Sequence, residues 1–137
     1  MNKPNPVVHF EMPYEDAGRM TKFYEQAFGW KPNVLGPEMG NYIVVHTTET
    51  DEQNMVKKPG TINGGFFKRT KPDQAPSIVI AVEDVREAMK RVVEAGGTIL
   101  GGQTPGEPDD IPGIGLYCSF LDTEGNRVGF LEPKGNM

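Results

Sequence analysis

Shifted against itself by 68 positions, the sequence lays residues 8–29 on residues 76–97 without a gap. Five identities fall in that window: Glu15 with Glu83, Asp16 with Asp84, Lys22 with Lys90, Ala27 with Ala95 and Gly29 with Gly97. Apolar positions also coincide, with Phe10 on Ile78, Met12 on Ile80, Tyr14 on Val82, Met20 on Ala88 and Tyr24 on Val92. A repeat of this kind limits the fold sharply, because both halves must build the same supersecondary unit.

The same order of elements is read in both halves. In the first, residues 7–12 have strand composition and are expected to end at Pro13, which has no N–H for a ladder. Asp16 is placed to cap a helix, whose apolar stripe is Ala17, Met20, Phe23, Tyr24, Ala27 and Phe28 and whose stop is Gly29. In the second, a strand over 77–82 leads to Asp84, with Glu87 three residues on in a capping-box pattern. Val85, Ala88, Met89, Val92 and Val93 then form the stripe before Gly96 and Gly97. Three strands are expected after each helix: 30–34, 41–48 and 61–68, then 98–100, 115–121 and 127–132, the last two joined by the turn 122–126. Each half is thus βαβββ. A four-stranded unit cannot cover both of its faces alone, so one domain over 1–137 is expected, with module one at 5–70 and module two at 75–134. The segment 69–76, with two prolines, is the connector.

Seventeen glycines and twelve prolines exclude a helical bundle and fit short strands joined by turns, hence an α+β class. The formal charge of −5 lacks the basic face that nucleic-acid binding requires. No apolar run reaches the eighteen or so residues of a membrane helix, and no signal-like segment opens the chain. Cys118 has no partner for an internal disulfide, and a cytoplasmic protein is expected.

The tandem βαβββ order resembles the vicinal oxygen chelate superfamily, which includes glyoxalase I, bleomycin-resistance proteins and extradiol dioxygenases. The residues carrying the resemblance are His9-Phe10-Glu11-Met12, Asp16 and the run from Phe23 to Trp30, then Val82 to Val85, Glu94 to Gly97 and Asp122 to Arg127. The resemblance spans nearly the whole chain and implies a curved mixed sheet around a cavity. In the metal-using members, a His or similar group on each first strand and a carboxylate on each last strand hold a divalent cation. Here the first-strand positions are His9 and Ser77, and the last-strand positions fall on or next to Gly65 and Gly129. One good ligand in four places implies no resident metal and no cofactor.

The remaining polar residues of those strands are the candidate site. His9 and Glu11 share a strand face and are the candidate acid/base pair; alternatively His9 is a remnant imidazole held within the sheet. Tyr42, His46, Phe67, Ser77 and Arg127 are the candidate binding residues, Tyr42 and His46 being equally compatible with an exposed sheet surface. Phe66 and Phe67 point to opposite faces, so one packs and the other lines the cavity. Phe23, Tyr24, Phe28 and Trp30 read as helix-to-sheet core, and Cys118 as a small packing residue. The stretch 101–113 reads as a lid or binding loop, otherwise a spacer, and 49–58 as a polar hairpin tip. If Gly129 faces the cavity, Glu132 faces away from it, and the two glycines leave open volume where carboxylates would stand.

Three functions remain open on these residues: a glyoxalase-like, metal-independent protein with lyase- or isomerase-type chemistry on a small molecule, a bleomycin-resistance-type protein that sequesters one without turnover, or a structural or regulatory partner of an enzyme. The resemblance further implies a homodimer, with neither nucleic acid nor membrane as a partner.

Overall fold

The computed structural model describes residues 3–53 and 55–134. In chain order the elements are β1 (Val7–Tyr14), α1 (Ala17–Phe28), β2 (Lys31–Val34), β3 (Ile43–His46), β4 (Asn63–Lys68), β5 (Ser77–Ala81), α2 (Val85–Glu94), β6 (Thr98–Gly101), β7 (Asp109–Ile111), β8 (Gly115–Leu121) and β9 (Arg127–Pro133). The βαβββ order is present in the first half and, with β7 inserted between the expected strands, in the second, and the α+β class stands. The chain divides into two compact units, one formed by His9–Pro76 and the other by Ser77 onward together with the residues up to Val8. Residues 5–8 thus cluster with the second unit, where the Ala81 N–H donates to the Pro6 carbonyl at 2.9 Å.

In the first unit the strands run in the order β2-β3-β4-β1, with β4 parallel to β1 and the other pairs antiparallel. The register sets His9 beside Asn63, Glu11 beside Gly65 and Pro13 beside Phe67. Contrary to the expected stop, β1 runs through Pro13 to Tyr14. Proline removes only a donor, and the ladder continues because the Arg69 N–H donates to the Tyr14 carbonyl at 2.9 Å. Asp16 caps α1 by accepting from the Arg19 N–H, and Gly29 ends it in the left-handed region at φ 73°.

Alternation along β1 turns Phe10, Met12 and Tyr14 toward α1. There they meet Ile43, Val45 and Phe66, with Ala17, Met20, Tyr24 and Trp30 completing the cluster. The Tyr24 and Trp30 rings stack with centroids 4.6 Å apart. The aromatic reading needs one correction. Phe23 and Phe28 are 56% and 65% exposed, so only Tyr24 and Trp30 of the four serve as core. A helix lying on a sheet buries a stripe roughly 100° wide, and these two fall at its margin.

The second unit orders its strands β5-β9-β8-β6, with β7 also pairing with β8. Its core is Val82, Val85, Ala88, Cys118 and Phe130, joined by Ile80, Met89, Val92, Ile99, Leu116 and Phe120. Cys118 is a packing residue with its thiol pushed up by burial. Asp84 caps α2 through the Arg86 and Glu87 N–H groups. Glu87 itself lies 3.7 Å from Lys90, and it is Glu132, from β9, that accepts the first helical N–H, that of Val85, at 2.9 Å. Glu132 therefore faces the helix, as alternation from Gly129 requires.

The stretch 101–113 is not an open lid. It carries the additional strand β7 and an isolated bridge between Gly101 and Pro105, and the Asp109 carboxylate accepts from the Gln103 N–H at 2.9 Å. Its acidic side chain is committed to turning the chain. The connector is organised as well: Gln74 Oε1 accepts from the Thr70 and Lys71 N–H groups, and Arg69 donates to the Gln74 carbonyl. Residues 49–53 and 55–58 flank a bridge between Thr50 and Val56, with the Asp51 carboxylate accepting from the Gln53 and Met55 N–H groups. Among the described residues no helix is long and apolar enough to cross a membrane.

Candidate functional site

The face of the first unit's sheet away from α1 carries His9, Glu11 and Pro13 from β1, with Asn63, Gly65 and Phe67 beside them on β4. Phe66 is 1% exposed in the core, so Phe67 is the member of the pair on this opposite face, half-buried.

Tyr42 precedes β3 and enters from a sharp bend. Gly40 and Asn41 both adopt left-handed backbone, at φ 67° and 58°. The Asn41 carbonyl accepts from the Tyr14 hydroxyl at 2.8 Å, and the Tyr42 carbonyl accepts from the Leu35 N–H at 2.9 Å. So held, the Tyr42 ring lies across Gly65: a Cβ built on Gly65 would run into Tyr42 Oη, Cζ and Cε2. The phenol thus occupies the space where the superfamily resemblance would put a carboxylate.

The phenol also joins the two candidate acid/base residues. Tyr42 Oη donates to Glu11 Oε2 at 3.0 Å, and His9 Nε2 lies 3.0 Å from Tyr42 Oη. All three side chains are half-buried. Burial lowers the His9 pKa from 6.5 to about 4, so the imidazole is neutral at pH 7. An imidazole, a phenol and a carboxylate in hydrogen-bonded series can bind a polar ligand group and can pass a proton along the series.

The other candidates fall elsewhere. His46 shares the sheet face of Tyr42 by alternation, at the far end of β3, and is not brought into the hydrogen-bonded series. Asn63, beside His9 on β4, spends its side-chain oxygen on the Thr47 and Thr48 N–H groups. Ser77 opens β5 half-buried, and Arg127 opens β9 exposed, paired with Leu121.

One residue escaped the sequence reading. In the second unit a Cβ built on Gly129 would lie 2.5 Å from Tyr117 Oη. Gly129 pairs with Ser119 on β8 as Gly65 pairs with Val44 on β3, so Tyr117 stands to Gly129 as Tyr42 stands to Gly65. The open volume expected over both glycines is therefore filled, in each unit by its own tyrosine. The signal was available: a glycine on a central strand whose antiparallel neighbour carries a tyrosine two residues away, within diagonal reach.

A divalent cation does not fit these residues. The last-strand positions are glycines covered by phenol rings, and His9 and Glu11 are engaged with one phenol. Among the described residues no group of three or more His, Cys, Asp or Glu side chains converges on a point.

Comparison with known proteins defines the class. Residues 7–130 match the sequence model of the Glyoxalase/Bleomycin resistance protein/Dioxygenase superfamily. The chain belongs to that superfamily. No curated protein matches the sequence significantly. Among solved structures it is similar to a hypothetical protein from Bacillus halodurans, with TM-score 0.67 and 14% identity over 98% of this chain and 99% of that one. It is also similar to methylmalonyl-CoA epimerase from Mycobacterium tuberculosis, with TM-score 0.65 and 11% identity over 98% and 94%. A third is a variant of the Streptomyces coelicolor methylmalonyl-CoA epimerase in complex with 2-nitronate-propionyl-CoA, with TM-score 0.67 and 12% identity over 97% and 100%. At these identities the likeness is one of fold.

Proposed function

We propose that the protein binds a small molecule against the helix-free face of its first module and transfers a proton on it without a resident metal, in an isomerase- or lyase-type reaction. The observation that carries this reading is the His9–Tyr42–Glu11 series, with both links at 3.0 Å. His9 is the group that meets the ligand, and Glu11 is the final acceptor, reached through Tyr42. Phe67, on the same face, supplies apolar contact; His46, Ser77 and Arg127 remain proposed binding residues. Structural neighbours named methylmalonyl-CoA epimerases make epimerisation of a thioester a reaction to test first.

A chelator-treated sample incubated in deuterated water with a panel of small carbonyl compounds and thioesters tests the reading. Deuterium incorporation into one compound, lost in His9→Ala, is expected. Elemental analysis finding about one metal per chain, removed together with activity by His9→Ala, would overturn the metal-free part. The second reading, a sequestering protein, is favoured by the way the three side chains already satisfy one another. Saturable binding of a compound with no exchange at any pH would select it. We also propose a homodimer, which sedimentation at micromolar concentration checks.

A further inference from the structure

We infer that the cleft where the 69–76 connector leaves β4 binds a phosphate group, with the Arg69 guanidinium as its receptor and the Glu15 carboxylate as an occupant that the phosphate displaces. The cleft lies at the end of β1 away from His9, and none of the candidate site residues lines it.

The sequence concentrates cations at this point. Residues 68–71 read Lys-Arg-Thr-Lys in a chain whose formal charge is −5. β1 and β4 run parallel and end together, Tyr14 beside Lys68, so Glu15 and the connector leave the sheet side by side. They line a cleft of about 390 Å³, within the range of small-ligand sites. Lys68, Arg69 and Lys71 against Glu15 leave its walls with an excess of two positive charges, and Asp73 of the same connector does not line it. A phosphate monoester carries about −1.5 to −2 at pH 7, which matches that excess.

The walls are held in place from within the first unit. Lys68 Nζ stands 5.9 Å over the Tyr14 ring. Gln74 Oε1 accepts from the Thr70 and Lys71 N–H groups at 2.7 and 3.1 Å, which fixes the bend that carries Lys71. Arg69 Nη1 donates to the Gln74 and Pro72 carbonyls. A planar guanidinium anchored through Nη1 offers its other edge, Nε with Nη2, as a fork for two oxygens. Arg69 Nε is buried and makes no hydrogen bond among the described residues. Glu15 Oε2 lies 3.3 Å from it, in ion-pair contact but without the alignment of a bond. The Glu15 side chain is 69% exposed and that of Arg69 29%, so the carboxylate is free to swing into water while the guanidinium stays. A buried donor without an aligned acceptor is costly. A phosphate taking the place of Glu15 removes that cost and gains Lys68 and Lys71.

The test titrates the full chain, labelled with ¹⁵N at neutral pH, with inorganic phosphate while chloride holds the ionic strength constant. Saturable shifts of the Arg69 Nε–H and of the Thr70 and Lys71 amides are expected. Glu15→Gln should tighten binding and Lys68→Ala or Lys71→Ala should weaken it, each by about two- to fivefold, the range of single exposed charge contacts. Arg69→Lys keeps the charge but removes the fork and should abolish saturation; if it also disorders the connector, the Glu15 and lysine variants decide. No saturation in the wild type, the same shifts with chloride alone, no tightening in Glu15→Gln or no weakening in both lysine variants would each overturn the proposal. Methyl phosphate as a second probe separates the sources: tighter binding than inorganic phosphate assigns the site to phosphate esters, weaker binding to free phosphate, and either supports it.

Discussion

The two modules solve the same packing problem with the same device and then diverge beneath it. Each lays a tyrosine across a glycine on its last strand, Tyr42 over Gly65 and Tyr117 over Gly129. Beside Gly65, the parallel first strand presents Glu11, with His9 two residues before it; beside Gly129, it presents Val79, with Ser77 before it. Val79 is apolar and 1% exposed, whereas His9 and Glu11 are half-buried and bonded to Tyr42. The repeat therefore preserved shape in both halves and kept titratable chemistry in one. The two modules thus differ at the strand positions flanking the glycine, not at the glycine itself.

The comparison can be broken most forcefully at the cores. Phe66 and Phe130 hold equivalent places beside the two glycines and are 1% and 2% exposed. Truncating either to Ala should cost about 3–5 kcal/mol by loss of burial and the cavity left behind. Denaturant titration measures it, and a loss under about 1 kcal/mol for one of them would show that its module lacks an independent core.

Acid should distinguish the modules next. Between pH 6.5 and about 4 an unfolded His9 is protonated while the folded one is not, so the unfolded state binds more protons and stability falls as the pH falls. The full difference, present above pH 6.5, is up to about 3 kcal/mol. His9→Ser, which installs the residue found at the matching place in module two, should flatten that part of the stability profile. An undiminished slope in the variant would assign the pH dependence to other groups.

A smaller effect is expected from the glycines. Gly65→Ala and Gly129→Ala should each destabilise by about 1–3 kcal/mol as the tyrosine ring is displaced. At Gly65 displacement also breaks the bonds to His9 and Glu11. Thermal melts of the two variants measure the losses, and an unchanged melting temperature at either would mean that its ring moves aside without cost. Smallest is Tyr42→Phe, which keeps the ring over Gly65 and removes only the hydroxyl. About 1 kcal/mol of stability should be lost, together with deuterium exchange in the assay above.

Much of this architecture was legible in the chain itself. The repeat gave βαβββ twice, Asp16 and Asp84 were recognisable caps, and alternation put Phe10 and Met12 with the helix and His9 and Glu11 opposite. The pairing of Tyr117 with Tyr42 was hidden by insertion. The helices repeat at 68 positions, the two tyrosines at 117 − 42 = 75, because the second module carries the longer 101–113 stretch with β7. The reading of that stretch as a lid or binding loop, otherwise a spacer, missed β7, because glycine, proline and acid signal turns equally well whether the turn is open or, as with Asp109, closed on its own backbone.

What the sequence alone determined is periodic and local: element order, the faces of strands and helix caps. Those follow from residue type and spacing, which are properties of neighbours along the chain. Only the tertiary structure decided what fills the space a missing side chain leaves. Tyr42 reaches His9 and Glu11 across 33 and 31 residues of chain, from a bend at Gly40 and Asn41. Close packing requires that such a space be filled, but the identity of the filler is set by register and bend geometry between strands.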